Sequence, residues 1–411
     1  MQVVYTHCAG LDVHKKTVVV CRVMPSEGGG WLKQVRTFGT MTDELLGLAD
    51  WLRAGEVTQV AMESTGSYWR PIYNLLESQF GIVLVNAQHI KFVPGRKTDV
   101  NDAQWIAELL QHGLLKASFI PTAPQRDLRD LVRYRTQLIQ DRTREINRIQ
   151  KVLEDANIKL ASVVSNGLGV SGREMLEQLL AGQEDPTQLA QLARGRMREK
   201  IADLERALAG HVRTVHRILL KLHLQHIDEL NAMIATISSD IEPMLEAFDT
   251  SDAMTRLDGM PGVNATTAQV IISELGLDMS RFPSAAHAAS WAGVAPGKNE
   301  SAGRNRSART RQGNKHLKTA LVVAAHAAGK RADNYLGAQY RRLAARRGKK
   351  RAALAVAHSI LVIAYHMLKR GTTYSDLGAD YFDKQNTQQV QHALVRRLER
   401  LGLKVTVEPA A

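Results

Sequence analysis

The chain has 411 residues, a formal net charge of +13 and a pI near 9.8. This length exceeds one ordinary domain core and predicts two or three domains. The excess of positive charge predicts a polyanionic partner, of which nucleic acid is the commonest. Most of it lies between Lys298 and Arg351, where sixteen Lys or Arg stand against two acidic residues, whereas residues 1–113 carry ten basic and eleven acidic side chains.

The two cysteines, Cys8 and Cys21, lie in apolar, strand-like runs without the CxxC spacing of a zinc site. A reducing cytoplasm is expected, without a disulfide framework. The N-terminus has no basic region followed by an apolar signal core, and no apolar run is expected to reach the length of a membrane span. These features predict a soluble cytoplasmic protein.

Strand and helix patterns alternate through the first hundred residues. Three strands are predicted at residues 6–13, 17–23 and 31–38, as an antiparallel meander. A helix, a strand, a helix and a strand follow at residues 42–53, 57–63, 68–78 and 82–85, and another helix begins after Lys97. This α/β order is that of an RNase H-like domain, a fold that gathers carboxylates from its first strand, its fourth strand and a later helix.

Four acidic residues occupy those positions. Asp12 ends the first strand, Glu63 ends the fourth, and Asp99 and Asp102 open the helix. Residues three apart share a helix face, and two like charges there repel unless a cation or an arginine lies between them. The set therefore favours a divalent metal site. The alternative is a helix N-cap followed by a solvated acid, and an Asp at a strand end is often a turn former.

The rest of the chain is predicted to be mainly helical. Apolar stripes over residues 128–153 and 201–241 indicate long helices that pack on one another. Residues 257–275 are typical of a helix-hairpin-helix, whose Pro261-Gly262-Val263 turn can present backbone amides to a phosphate. A plain helical hairpin with a glycine cap is the alternative. Apolar helices are predicted at residues 317–328 and 352–368.

A polar loop, predicted to be flexible, carries Ser301 between Pro296 and a run of basic side chains. The basic residues that we expect to contact nucleic acid there, together with the amide of Gly262, are Arg304, Arg306, Arg309, Arg311 and Lys315. A serine hydroxyl is a weak nucleophile until deprotonated, and nearby arginines could bind a phosphate under attack and spread its charge. A serine in a glycine-rich loop is also commonly an ordinary loop residue.

Four motifs together resemble the DEDD transposases of the insertion-sequence family numbered one hundred and ten, also described as bridge-RNA-guided recombinases. They are Gly10-Leu11-Asp12-Val13-His14-Lys15, Met62-Glu63-Ser64-Thr65-Gly66, Lys97-Thr98-Asp99 with Asp102, and residues 296–303 after the Pro261-Gly262-Val263 hairpin. The resemblance covers nearly the whole chain. It implies a RuvC-like domain at residues 1–125, a helical coiled-coil connector at 126–250 and a mainly helical C-terminal transposase domain at 251–411.

The resemblance also implies a site and partners. The four acidic residues of the family fall on Asp12, Glu63, Asp99 and Asp102, which would bind Mg²⁺ or Mn²⁺, and its serine nucleophile falls on Ser301. Many members carry two adjacent serines and then two glycines, where this chain has Glu300-Ser301 and Ala302-Gly303. The implied partners are donor and target DNA, a structured guide RNA and further copies of the chain, in a bacterial cytoplasm and on the nucleoid when DNA is bound.

Two other functions remain open at the level of sequence. A RuvC-like structure-specific nuclease of the Holliday-junction resolvase type would use water as the nucleophile and leave free nicks. A catalytically silent nucleic-acid-binding protein would keep the fold and the basic region without a carboxylate-dependent metal site. The basic C-terminal segment is expected to bind the phosphates, and this binding should weaken steeply with salt, because every neutralised phosphate releases counterions.

Overall fold

The structure is a computed structural model that describes residues 2–64, 66–86, 102–164, 167–248, 250–297, 300–301, 304–305, 310, 312–385 and 387–407. For residues 300, 301, 304, 305 and 389 it describes the backbone alone. The chain divides into two compact units, Met1–Ala123 and Pro124–Ala411. The division into three domains inferred from the resemblance stays a prediction.

The first unit contains a five-stranded sheet. Its elements in chain order are β1 (Cys8–Val13), β2 (Thr17–Pro25), β3 (Trp31–Gly39), α1 (Thr42–Ala54), β4 (Gln59–Glu63), α2 (Trp69–Leu76), β5 (Gly81–Val85) and α3 (Asp102–Gln111). The strand order is β3-β2-β1-β4-β5. The first three strands pair antiparallel, and β1, β4 and β5 pair parallel. The predicted meander and the predicted order of elements are confirmed as a mixed α/β unit.

Helices cover both faces of this sheet. Alternate side chains of the strands point to opposite faces, so each face has its own apolar core. Ala9, Leu11 and Val13 of β1 pack with α1 and α2. Cys8 on the same strand packs with α3, together with apolar residues of the neighbouring strands. The result is a three-layer arrangement. Among the described helices of the first unit, α1 and α2 pack on one face of the sheet and α3 packs on the other.

Both cysteines are buried free thiols of this sheet. Cys8 lies on β1 and Cys21 on β2, and both side chains belong to the core beneath α3. Burial raises the pKa of Cys8 to about 12 and that of Cys21 to about 11. Both therefore stay protonated at neutral pH and behave as small apolar side chains.

The second unit is almost entirely helical. Its elements are α4 (Ala123–Asp155), α5 (Leu160–Val163), α6 (Val170–Leu180), α7 (Pro186–Ala190), α8 (Ile201–Leu208), α9 (Thr214–Ala247), α10 (Ser251–Asp258), α11 (Ala265–Leu275), α12 (Ala285–Trp291), β6 (Glu300–Ser301), β7 (Arg304–Asn305), α13 (Lys315–Gly329), α14 (Tyr335–Arg347), α15 (Lys349–Arg370), α16 (Tyr381–Gln385) and α17 (Thr387–Glu399). Short 3₁₀ helices lie at Gly195–Lys200 and Met279–Arg281.

The second apolar stripe predicted from the sequence is partly wrong. The stripe ran without interruption through residues 201–222, but the helix breaks between α8 and α9. Gly210 lies in that break, where a Cβ would be 2.4 Å from the carbonyl oxygen of Ala156. The break changes the helical phase, so Val215, Leu219 and Leu222 are exposed at 46%, 38% and 56%. The buried face of α9 instead carries His216, Leu220, Leu224, Ile227 and Leu230.

The helix α15 corrects the expectation that no run is long enough to cross a membrane. Among the described residues, it is the one helix that satisfies both the length and the apolar composition required. Its charged side chains lie near its two ends, which leaves an apolar interior. Half of that interior is buried inside the unit, and the Tyr365 hydroxyl donates to the Phe282 carbonyl at 2.9 Å. Here α15 serves as a core helix that packs with α13 and α14.

Candidate active site

Asp12 and Glu63 lie side by side at the carboxyl edge of the sheet. The last β1–β4 pair in the parallel register is Leu11 with Met62, and each acid is the next residue on its strand. Neighbouring strands are about 4.8 Å apart, and side chains at matching positions point to the same face. The register therefore brings the two predicted carboxylates to one place on one face of the sheet.

That face is the one covered by α3. Cys8 and Ala61 lie an even number of residues before Asp12 and Glu63, and both pack in the core under α3. The period of two along a strand then puts Asp12 and Glu63 on the same side. Asp12 is 22% exposed, so the carboxylate lies at the rim of this core.

The direction of α3 brings its first residue to the same edge. The C-terminal carbonyl of α3, at Gln111, accepts from the Val4 amide at 2.8 Å, before β1 begins. Near the other end of the helix, Ala103 lies against Gly10. The helix therefore runs antiparallel to β1, and Asp102 in its first turn lies toward the end of β1 that carries Asp12. The positive end of the helix dipole also favours carboxylates there.

Gly10 permits this close approach of helix and strand. A Cβ at Gly10 would lie 2.3 Å from both the Ala103 carbonyl oxygen and the Ala107 amide nitrogen. Because these are backbone atoms, the helix would have to move. We expect Gly10→Ala to lower the free energy of unfolding of this unit by about 3 kcal/mol, as measured by urea denaturation followed by tryptophan fluorescence.

Gly47 provides the matched control for this substitution. It lies within α1, and nothing stands within 4 Å of a Cβ built on it. Gly47→Ala should raise stability by about 0.5–1 kcal/mol, because alanine restricts the unfolded chain and favours the helix. Equal effects of the two substitutions would contradict the proposed contact between Gly10 and α3.

His14 is a neighbour of the site to which the sequence motifs assigned no role of its own. Its Nε2 lies 3.0 Å from Oδ2 of Asp12, and its side chain is 58% exposed. An imidazole N–H that donates to this oxygen orients the carboxylate and adds positive charge when protonated. The Asp-x-His spacing at the end of a strand was the available signal.

The predicted acidic set is only partly within the described structure. Asp99 lies outside the described residues. Among the residues that are described, no group of three His, Cys, Asp or Glu side chains is arranged to hold a metal ion. Asp12, Glu63 and Asp102 nevertheless offer only oxygen donors at one edge of the sheet, which is the donor chemistry that suits Mg²⁺ or Mn²⁺. The donor set therefore fits a hard divalent cation.

Ser301 lies in a short ribbon, where the sequence predicted a flexible loop. Glu300 pairs with Asn305, and Ser301 pairs with Arg304, in an antiparallel ladder between β6 and β7. We call residues 296–312 the serine segment. Arg306, Arg309 and Arg311 lie outside the described residues, and Lys315 is exposed in the first turn of α13.

The predicted helical hairpin is present between α10 and α11. Gly262 in its turn has φ +85°, and a Cβ there would lie 2.3 Å from the Ala324 carbonyl oxygen of α13. The glycine is thus required by backbone conformation and packing. The Asn264 side chain accepts from the Thr267 amide at 2.9 Å and caps α11. Phosphate binding by this turn stays a prediction.

Two protein families match separate parts of the chain. Residues 9–158 match the family DEDD_Tnp_IS110, described as Transposase. Residues 254–341 match the family described as Transposase IS116/IS110/IS902 family. The first match contains all of the five-stranded sheet except Cys8, together with α3 and α4. The second contains the turn of the helical hairpin, the serine segment and α13. Together they span more than half of the chain. The chain belongs to the IS110 family of transposases.

Individual relatives extend this similarity along most of the chain. The transposase for insertion sequence element IS1111A of Coxiella burnetii is 24% identical over 89% of this chain and 90% of its own. A probable family 20 transposase of Pseudomonas aeruginosa is 24% identical over 77% and 85%. The insertion element IS110 uncharacterized 43.6 kDa protein of Streptomyces coelicolor is 29% identical over 68% and 73%.

Membership in the IS110 family confirms the resemblance seen in the sequence and establishes the class of enzyme. An IS110 transposase acts on DNA, so the predicted nucleic-acid partner and the predicted enzymatic activity are confirmed at that level. A DEDD transposase domain in general uses divalent metal, in keeping with the carboxylates at the sheet edge.

Proposed function

We propose that this IS110 transposase is an RNA-guided recombinase that cuts and rejoins DNA through a covalent bond to Ser301. Asp12, Glu63, Asp99 and Asp102 would hold Mg²⁺, or Mn²⁺, in a RuvC-like, RNase H-like domain. The observation that carries the proposal is the common location of Asp12, Glu63 and Asp102 at one sheet edge, in a chain whose second family match contains Ser301.

The acidic residues supply a fixed set of oxygen donors. Asp12 and Glu63 are held by paired strands, so little conformational entropy is lost when a ligand binds between them. His14 restrains one oxygen of Asp12. A bound divalent cation would neutralise the charge on the attacking and departing oxygens of a phosphodiester. Without such a cation the carboxylates would repel the DNA, which is the electrostatic reason for this assignment.

Ser301 supplies the attacking oxygen. Its Oγ forms a bond to phosphorus while the bond between phosphorus and one deoxyribose oxygen breaks. The serine hydroxyl loses a proton in this step, and the departing deoxyribose oxygen gains one and leaves as a hydroxyl. The exchange is reversible, because the serine ester has nearly the energy of the diester that it replaces. A hydroxyl end of another strand can therefore displace Ser301 and complete rejoining without ATP. Arg304 and the arginines that follow it would balance the phosphate charge.

A basic corner in the second unit suits the phosphate backbone of DNA or RNA. It consists of exposed side chains on either side of Gly348, where α14 ends and α15 begins: Arg346, Arg347, Lys349, Lys350 and Arg351. Five adjacent cations at one corner create a strong local potential for a polyanion. The first unit has no excess of positive charge. We therefore assign the chemistry to its carboxylates and the binding of the phosphate backbone to this basic corner.

The remaining parts of the proposal rest on the resemblance of the sequence motifs to the family. Residues 126–250 form a coiled-coil connector that brings copies of the chain together as a dimer or tetramer. In that assembly the acidic site of one subunit meets the serine of another. The guide is a structured RNA from the noncoding end of the element, and its base pairing selects the donor and target DNA.

Product chemistry tests this proposal against the nuclease alternative. The full-length protein is incubated with Mg²⁺, its element's noncoding RNA and labelled DNA that spans the element junction, then denatured and resolved on a gel. We expect labelled DNA covalently joined to protein, with phosphoserine at position 301 by mass spectrometry. Free nicks without any adduct would instead identify a resolvase-type enzyme that uses water. The absence of any metal-dependent product would favour a nucleic-acid-binding protein without catalysis.

A further inference from the structure

A buried ion cluster joins three parts of the second unit that are distant in sequence. Glu274, near the end of α11, is fully buried. Arg133 of α4 donates to both of its carboxylate oxygens, at 2.6 and 2.8 Å. Nε of Arg129, one turn earlier on α4, lies 3.2 Å from Glu274 Oε2. Arg129 also donates to the Glu274 main-chain carbonyl at 2.6 Å, so it holds the end of α11 as well.

The third partner of Glu274 is Asn314, the N-cap residue of α13. Its Nδ2 donates to Glu274 Oε2 at 2.6 Å. Its Oδ1 accepts from the amides of His316 and Leu317, at 3.1 Å each, and caps α13. One side chain thus fixes the start of α13 and ties it to the ion cluster. Burial and, next, the charge of Arg133 lower the pKa of His316, so the cluster also acts electrostatically on this first turn.

The position of Asn314 matters because it follows the serine segment directly. The Asn314 amide donates to the Trp291 carbonyl at 3.0 Å, across the segment from its other end. A Cβ at Gly313 would lie 2.4 Å from the Gly293 amide nitrogen, so the two backbones touch there. The residues that flank the serine segment, 291–293 on one side and 313–314 on the other, are therefore in contact with each other. The Asn314–Glu274 hydrogen bond anchors this contact to α11 and α4.

We propose that Glu274, held by Arg129 and Arg133, is a positioning residue that sets the geometry of the serine segment through Asn314. This inference rests on the proposed function of Ser301. Stability alone is a poor explanation for the cluster, because a buried ion pair is often no more stable than apolar residues of the same volume. A rigid anchor has a clear use next to a nucleophile, since an error of about 1 Å in its position can reduce the rate about a hundredfold.

Two substitutions break the anchor in different ways. Glu274→Gln keeps the size of the side chain and removes the charge that holds both arginines. Asn314→Ser keeps a good helix cap but lacks the amide that donates to Glu274. If both act through the one hydrogen bond, the double variant should be no slower than the slower single variant.

Glu145→Gln is the matched control. Glu145 is another buried carboxylate of the second unit, 3% exposed, and it binds Arg148, His223 and His226. Like Glu274, it is buried and has basic side chains as partners, but those partners are different residues. Within the described part of the chain, its ion pairs involve none of the residues on either side of the serine segment. A general loss of stability should appear in both variants, and a loss of positioning only in Glu274→Gln.

The test measures two quantities on full-length protein. The first measurement is the kinetics of covalent adduct formation. It gives the rate at saturating DNA and the DNA concentration at which half that rate is reached. We expect Glu274→Gln and Asn314→Ser to lower the rate at least about tenfold with little change in that concentration. Glu145→Gln should stay within about twofold of wild type. Equal rates for Glu274→Gln and Glu145→Gln would overturn the proposal.

The second quantity is hydrogen exchange of the peptide that contains residues 312–318, in protein without DNA. Glu274→Gln should accelerate this exchange at least about tenfold relative to Glu145→Gln, because the cap loses its anchor. If the wild-type enzyme forms no adduct and this acceleration is seen, the anchor stands while the role of Ser301 fails. Unchanged exchange would overturn the anchor whatever the adduct assay shows.

Discussion

Ser301→Ala is expected to abolish covalent protein–DNA adducts, with a loss of at least about a thousandfold in strand exchange. The substitution removes the only oxygen that the proposed mechanism joins to phosphorus, and the basic residues that bind DNA stay in place. Binding of DNA and RNA, measured by fluorescence anisotropy, should therefore stay within about twofold of wild type. Adduct formation is measured on denaturing gels in the presence of Mg²⁺.

Ser307→Ala is the control for this prediction, because Ser307 lies among the same arginines six residues further along. It removes a hydroxyl of the same kind, so any general effect of a smaller side chain in the segment should appear in both variants. We expect normal adduct formation from Ser307→Ala. Adducts that persist in Ser301→Ala but disappear in Ser307→Ala would move the nucleophile to the second position.

The sheet and its acidic edge were predictable because strands leave a strong local pattern. The alternation of apolar residues gave every strand of the first unit within a few residues. Once the order of elements indicated the fold, the strand ends at Asp12 and Glu63 had to meet, because neighbouring parallel strands end at the same edge. The sequence could not show that Gly10 allows α3 to lie directly on β1, since that depends on the backbone of a distant helix.

Other features depend on tertiary contacts that sequence patterns do not contain. The buried face of α9 could not be derived from apolar spacing alone, because the break at Gly210 shifts the helical phase. The role of Glu274 was missed for a related reason. Charged residues are normally placed on the surface, and only the fold brings Arg129 and Arg133 to the end of α11. The spacing of the two arginines, four residues apart on one helix face, was the one available signal.

Replacing the strand carboxylates is expected to have a comparably large effect on catalysis. Asp12→Asn and Glu63→Gln keep the shape of each side chain but remove a negative charge that the metal site requires. Metal ions supply several kcal/mol of transition-state stabilisation, so we expect strand cleavage to fall by about 10²–10⁴-fold in each variant. DNA binding should be unchanged or slightly tighter, because each variant removes one negative charge near the phosphates.

The control and the metal dependence separate a metal-site effect from a general one. Asp50 is an exposed carboxylate of the first unit that pairs with Arg53 at 2.9 Å, and Asp50→Asn should leave cleavage within about twofold of wild type. The titration midpoint for Mg²⁺ or Mn²⁺ should rise in Asp12→Asn and Glu63→Gln, because each loses one anionic ligand. If both variants cleave DNA at the wild-type rate with an unchanged midpoint, these two carboxylates do not hold the catalytic metal, and the adjacent ends of β1 and β4 have only a structural role.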